Sequence, residues 1–157
     1  MKFKTLVGAV RNISNAKKYL IDWEGKSRSK IQKSTKDFLK KYWHNQVVFE
    51  EFPVAGTKMS LDFYNANKKI AIEVQGEQHR RYTPFFHGGN KYNYINQLRR
   101  DQNKLKFCKI NNIQLLEIYN LKELTPSFFK KHGVLHTWSF SYTGFFSSNA
   151  WRRPPFR

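Results

Sequence analysis

The chain has 157 residues, with 29 lysines and arginines against 11 aspartates and glutamates, which gives a formal net charge of +18. This length suits one domain with a sizeable core, and the charge favours a polyanionic partner, nucleic acid first and an acidic membrane surface second. No apolar run approaches the roughly 20 residues of a membrane span, and the apolar part of the N-terminal segment is too short for a signal peptide. The single cysteine, Cys108, excludes an internal disulfide and suits a reducing compartment. We therefore expect a cytoplasmic protein, and, without a membrane-spanning run, one that contacts no membrane.

The N-terminal part of the chain predicts an extension, a helix and a strand. Residues 1–26 form the expected N-terminal extension, in which 18–23 have the composition of a short strand. Ser27 or Ser29 suits the N-cap of the helix that follows. Residues 47–52 then predict a strand. The stripe of the helix that is spaced to face the core consists of Ile31, Thr35, Phe38, Leu39 and Tyr42.

Two alternating segments predict a hairpin that carries carboxylates. Residues 59–64 and 70–75 each alternate apolar and polar side chains, and the Asn-Ala-Asn sequence between them is typical of a tight turn. Such a hairpin places Asp62 and Glu73 on neighbouring strands. If both face the same side, a divalent metal would fit between them. An ordinary solvated face with surface acids explains the spacing equally well.

The remainder of the chain predicts a basic, aromatic loop and three further elements. Residues 80–92 mix basic and aromatic side chains, which suits phosphate contacts and base stacking, or equally a loop that phenylalanines fix to the core. Asp101 follows two arginines and is either a salt-bridge partner or a site residue. The segment from His132 onward is aromatic and basic with little periodicity. The predicted elements are a helix over 93–110, a buried strand over 113–119 and a short helix that begins at Thr125-Pro126 and ends at Lys131.

This order of elements resembles the PD-(D/E)xK nuclease superfamily. A helix and a three-stranded meander carrying Asp62 and then Glu73-Val74-Gln75 are followed by a second helix and a fourth strand. More narrowly, Gln78-His79 and Arg100-Asp101, followed by Lys104, are similar to very-short-patch repair endonucleases and the related EDxHD homing endonucleases. The resemblance implies an α/β fold with a restriction-endonuclease-like core, a mixed β-sheet flanked by helices. This nuclease-like core extends over 27–120, and 121–157 form a C-terminal helix and an aromatic, basic tail.

The resemblance further implies metal-dependent hydrolysis of a DNA phosphodiester. Asp62 and Glu73 would hold Mg²⁺ or Mn²⁺, which activates water and neutralises charge on the phosphate. His79 would act as general base or orient the attacking water, and Asp101 would hold His79 or a metal-bound water. The residues expected to bind nucleic acid are Arg80, Arg81, Arg99, Arg100 and Lys104.

Two positions depart from the pattern of this superfamily. Gln75 stands where the usual lysine lies, and an amide cannot stabilise a phosphate by charge. Gln32 stands in the first helix where EDxHD relatives often have glutamate. The missing acid would then come from Glu50 or Glu51, or less plausibly from Glu24. Strand alternation predicts that one of Glu50 and Glu51 points to the core and the other away from it.

The leading hypothesis from the sequence is a small endonuclease that acts on double-stranded DNA, with a homing endonuclease of a phage or mobile element as its narrower form. Such an enzyme would work in the host cytoplasm, and a homodimer would cut both strands where a monomer nicks one. A hypothesis of a different class is a nuclease-fold protein that only binds nucleic acid or serves as a structural virion component. An RNA-binding module is a third, supported only by charge and aromatic content.

Overall fold

The computed structural model describes residues 1–75 and 91–135, and a four-stranded sheet lies at its centre. Three strands form an antiparallel meander, and the last strand pairs in parallel with the third. The predicted α/β architecture, a mixed sheet flanked by helices, is confirmed. In chain order the elements are β1 (Lys2–Lys4), β2 (Val10–Asn12), α1 (Lys30–Trp43), β3 (Val48–Pro53), β4 (Ser60–Asn65), β5 (Ile70–Val74), α2 (Lys91–Ile110), β6 (Gln114–Ile118) and α3 (Pro126–Lys131).

The four-stranded sheet is buried on both faces, since β3 to β6 carry apolar side chains toward both. On one face α1 packs through Leu39 and Trp43, and α3 adds Phe129 to the same cluster. On the other face the C-terminal part of α2 packs through Phe107 and Cys108. Cys108 is 1% exposed and behaves as the small buried hydrophobe that its position predicts.

Hydrogen bonds at the predicted caps fix where two helices begin. Ser29 accepts a hydrogen bond from the Gln32 N–H at 3.1 Å, so Ser29 rather than Ser27 is the N-cap of α1. Thr125 accepts one from the Phe128 N–H at 3.2 Å and caps α3, with Pro126 in the first turn.

The prediction of a strand over 18–23 is wrong. The chain forms a 3-10 turn at Ala16–Tyr19, and only Leu20 bridges to β3, opposite Phe49. The Asp22 carboxylate accepts a hydrogen bond from the Glu24 N–H, and this Asx turn takes the backbone away from the sheet.

The β1–β2 hairpin is an element that the sequence pattern did not indicate. Its strands have three residues each, and all of these residues except Phe3 are exposed. The strands are therefore too short and too exposed to show an alternation of apolar and polar side chains. Phe3 joins the aromatic cluster on the α2 face and packs against Phe52 with ring centroids 5.5 Å apart. The hairpin therefore closes one end of the core.

Candidate active site

Asp62 and Glu73 form a carboxylate pair on the face of the sheet that α2 covers. Phe63 pairs with Ile72 across β4 and β5, and one step further along this register Asp62 stands opposite Glu73. Asp62 Oδ2 accepts a hydrogen bond from the Val74 N–H at 2.7 Å, and Glu73 Oε1 accepts one from the Asp62 N–H at 3.2 Å. The backbone of each strand thus fixes the carboxylate of the other, and the hairpin brings both acids to one side.

Lys104 completes this cluster from α2. Its Nζ lies 2.5 Å from Glu73 Oε2, and the side chains of Lys104 and Glu73 are 17% and 3% exposed. Lys104 was expected to contact nucleic acid, but in the structure its ammonium is turned to the carboxylates. Because a charge removed from water needs a partner, Lys104 is the group that stabilises Glu73 once its proton is lost.

The burial of the two carboxylates raises their proton affinity, and the one ammonium beside them opposes this effect. Burial first, and the neighbouring Asp62 second, raise the pKa of Glu73 to about 8, although Lys104 opposes them. Burial also raises the pKa of Asp62, against the hydrogen bond from the Val74 N–H and the charge of Lys104. A proton therefore remains on the cluster near neutral pH, and an arriving cation would displace it.

The ligand chemistry of the pair fits a hard divalent cation. Both side chains offer oxygen, and Asp62 Oδ1 accepts no hydrogen bond from residues 1–75 or 91–135. Within those two ranges, no group of three or more His, Cys, Asp and Glu side chains is arranged to hold a metal. Mg²⁺ commonly binds proteins through only one or two carboxylates and completes its shell with water and substrate phosphate, which is the situation that this pair offers.

Gln75 does not replace the charge of the superfamily's lysine. It is 6% exposed, and its Nε2 donates to Glu117 Oε1 at 3.4 Å, across to β6. Its backbone N–H donates to the Ile118 carbonyl at 2.8 Å. The amide therefore bridges β5 to β6, while the ammonium beside Glu73 is supplied by Lys104 of α2.

Glu50 and Glu51 do not alternate as a regular strand predicts. Glu51 has a φ of +54°, so the pleat is broken at this residue. As a consequence both carboxylates reach one amide: Gln32 Nε2 lies 3.4 Å from Glu50 Oε1 and 3.1 Å from Glu51 Oε1. The expectation that one points to the core and the other away is wrong for this reason.

Of the three candidate acids for the missing position, Glu51 lies nearest to the carboxylate pair. Its neighbours Glu50 and Phe52 pair with the residues on either side of Asp62, and the charge of Glu51 contributes to raising the pKa of Asp62. Glu50 is instead paired with Lys36, whose side chain is fully buried, at 2.6 Å. Glu24 is exposed and pairs with a lysine of α1.

The carboxylate pair opens into a cleft of about 350 Å³ whose walls are basic. Three exposed cations stand around it, each from a different element or loop. Asp101 also lines this cleft, on the same side of α2 as Lys104. The exposed cations are Arg28, Lys58 and Arg100. A phosphate at the carboxylates would therefore lie within a positively charged surround.

Two of the other residues expected at the site lie on α2, and three lie outside the described part of the chain. Arg100 lines the carboxylate cleft, and both Arg99 and Arg100 line an adjacent groove along α2. His79, Arg80 and Arg81 lie outside the residues that the structure describes.

Two cations of the cleft were not singled out from the sequence. Arg28 follows the predicted cap region and Lys58 precedes β4, and neither carries a pattern that separates it from the many other basic residues. The ion pair between Arg28 and Glu51, at 3.0 Å, is set by the broken pleat at Glu51. Sequence spacing carries no signal for such a contact.

The chain is similar to parts of three viral proteins. These are "Uncharacterized protein 307L" of Invertebrate iridescent virus 6 (34% identical over 74 residues, 46% of this chain and 37% of that protein), "Uncharacterized protein 094L" of Frog virus 3 (37% over 73 residues, 46% and 47%) and "Uncharacterized protein 033L" of Invertebrate iridescent virus 3 (34% over 71 residues, 45% and 36%). The chain thus spans less than half the length of the curated relatives it matches. No protein-family model and no solved structure matches the chain.

None of the helices in the described ranges is long and apolar enough to cross a membrane. 

Proposed function

We propose that the chain is a metal-dependent endonuclease that hydrolyses phosphodiester bonds of double-stranded DNA. The observation that carries this proposal is the Asp62–Glu73 pair, fixed by backbone hydrogen bonds, backed by Lys104 and open to a cleft with basic walls. A structural ion pair would not need exposed cations around an opening, whereas a phosphate-binding site does.

Each residue of the cleft has a role that follows from its position. Asp62 and Glu73 would hold the metal through their carboxylates, which backbone hydrogen bonds fix in place. Lys104 holds Glu73 and adds positive charge beside the phosphate, the part that Gln75 cannot play. Arg28, Lys58 and Arg100, which line the cleft, would bind the phosphates of the DNA backbone. 

A bound Mg²⁺ or Mn²⁺ would supply Lewis-acid stabilisation of the phosphate and lower the pKa of a bound water. By the resemblance to EDxHD endonucleases, His79 accepts a proton from the attacking water, and Asp101 orients it. Asp101 lies at the cleft, as this role requires.

Cleavage of supercoiled plasmid with Mg²⁺ or Mn²⁺, beside an EDTA control, tests the proposal. Asp62→Asn and Glu73→Gln keep the shape of the side chains and remove one charge each. Mutation of a residue that hydrogen-bonds to a metal ligand typically lowers activity by roughly 10–100-fold. Because these two changes alter the ligands themselves, we expect each to lower the cleavage rate by more than that. A nicked product would indicate a monomer with one site, and a linear product a dimer that cuts both strands.

Asp37→Asn is the matched control, because Asp37 is an exposed carboxylate that pairs with Lys33 one helical turn away on α1. It should cut at the parent rate. Cutting by Asp62→Asn at the parent rate would show that the carboxylate pair is not the catalytic centre. If the plasmid is not cut, DNA that flanks the gene is the next substrate, since a specific nuclease needs its own target.

A binding or structural role without cleavage is the second candidate. It is favoured by the engagement of Gln75 with Glu117 and by the ammonium of Lys104, which already compensates Glu73. In that case duplex binding would be tight and sensitive to salt, no divalent metal would produce cutting, and Asp62→Asn would leave binding unchanged.

A further inference from the structure

The N-terminal part of α2 carries a stripe of amide and guanidinium side chains that the carboxylate site does not use. Asn96, Arg99 and Asn103 lie on this stripe, and with Asn93 and Arg100 they line a groove of about 500 Å³. The spacing of three, four and seven residues puts them on one face of the helix. 

These side chains have hydrogen-bonding groups to spare. Within residues 1–75 and 91–135, the side chains of Asn96, Arg99 and Asn103 make no hydrogen bond or ion pair. Arg99 is exposed, and the two amides are half-buried. These donors and acceptors are therefore available to a polar partner that lies against this face of the helix.

The position of α2 leaves this face accessible. Its core contacts come from Phe107 and Cys108 near the C-terminal end, and no residue from Tyr92 to Lys106 is buried. A helix of this length extends roughly 30 Å, enough to lie along a duplex groove. Arg100 lines both the groove and the carboxylate cleft, so the stripe borders the place where the phosphate is bound.

We propose that α2 is a recognition helix, whose Asn96, Arg99 and Asn103 read base edges in the major groove next to the phosphate that is cut. Asparagine forms two hydrogen bonds with adenine, and arginine forms two with guanine, in the major groove of B-form DNA. The inference rests on the proposed function for its choice of duplex DNA. The deep, narrow major groove of A-form RNA does not admit a helix, which argues against double-stranded RNA as the partner.

Selection from a randomised DNA duplex by binding, in EDTA, tests this inference without requiring cleavage. The full chain should enrich a defined sequence in which adenine and guanine occupy fixed positions. Asn96→Ala and Asn103→Ala should each lose discrimination at one or two base pairs, by roughly 5- to 150-fold, and Arg99→Ala should lose it at a guanine. Gln102→Ala is the matched control, because Gln102 is an exposed amide on the same helix that lines a different groove. This variant should keep the sequence preference of the parent.

Three results would overturn the inference. The first is that the parent enriches no sequence. The second is that the variants lose affinity equally for all sequences, which is the result of losing a phosphate contact. The third is that single-stranded RNA binds at least as tightly as the duplex at matched salt. Alanine favours a helix at exposed positions, and an unchanged melting temperature of each variant would confirm that its fold is intact. Sequence preference in binding together with no cleavage would refute the proposed nuclease and leave the recognition helix supported.

Discussion

The raised pKa of Glu73 makes the stability of the protein depend on pH in a direction that can be measured. The folded state keeps a proton on Glu73 up to about pH 8, whereas the ordinary value is 4.5. Between these values the folded state binds more protons than the unfolded state, so the free energy of unfolding falls as the pH rises. Stability from this group is fully present below about 4.5 and lost above about 8.

The size of the effect follows from the width of that window. One group changes the free energy of unfolding by at most about 1.4 kcal/mol per pH unit, so its full contribution is roughly 3–5 kcal/mol. Glu73 is 3% exposed, and solvent screening therefore reduces this figure little. Asp62→Asn should shift the upper limit of the window to lower pH, because the charge of Asp62 is the second cause of the raised pKa.

Urea unfolding in EDTA at pH 5 to 9 measures this dependence. The informative quantity is the difference in free energy between the parent and Glu73→Gln, since the titration of all other groups is common to both. We expect the parent to lose stability relative to this variant as the pH rises, and Asp37→Asn to follow the parent. Parallel curves for the parent and Glu73→Gln would refute the reasoning, because Glu73 would then be ionised throughout and held by Lys104.

Three further predictions concern metal binding at the carboxylate pair, the buried Lys36 and the backbone at Glu51. Calorimetry of Mg²⁺ binding in two buffers should show proton release, with affinity rising from pH 6 to 8, because Glu73 must lose its proton to bind metal, and Asp62→Asn should abolish the binding. Lys36→Met leaves Glu50 without its ammonium partner and should lower the free energy of unfolding in urea by about 3–5 kcal/mol. Adding Glu50→Gln to Lys36→Met should restore part of this loss, and an equal loss in both variants would contradict the pairing. Glu51→Gly should be more stable than Glu51→Ala by about 1 kcal/mol, because φ is +54°, and the reverse order would show that the pleat is not broken there.

The local parts of the fold could be predicted from the sequence because they depend on neighbours in the chain. Alternation in β4 and β5 predicted the hairpin that places Asp62 and Glu73 on neighbouring strands, and the structure shows that both face one side. Hydroxyl side chains predicted the cap at Thr125 and narrowed that of α1 to Ser27 or Ser29. The same alternation failed at Glu51, where a positive φ reverses the pleat. Propensity carries no signal for that conformation at a glutamate.

The parts that could not be predicted depend on contacts between distant segments. Lys104 is one of many basic residues in the chain, and only the crossing of α2 over the sheet turns its ammonium toward Glu73. Lys36 is likewise one lysine of a basic helix, yet it is fully buried and donates to the carbonyls of Asp22 and Gly25. Lysines are mostly exposed in proteins, so the sequence predicts that Lys36 faces solvent. Its burial depends on three acceptors that the fold brings to it, the Asp22 and Gly25 carbonyls and the Glu50 carboxylate.

The parallel pairing of β5 with β6 has a consequence for the order in which the protein folds. The β3–β4–β5 meander joins segments that are close in the chain, whereas Ile70 pairs with Gln114 only after the whole α2 connection has been closed. Long loops are slower to close than hairpins. We therefore expect the two acids of the site to come together early, while water still solvates them, and to be desolvated when α2 docks and brings Lys104 to Glu73. Neutralising Asp62 should then speed this late docking step, so a gain in refolding rate would be the kinetic trace of a site that is assembled before it is covered.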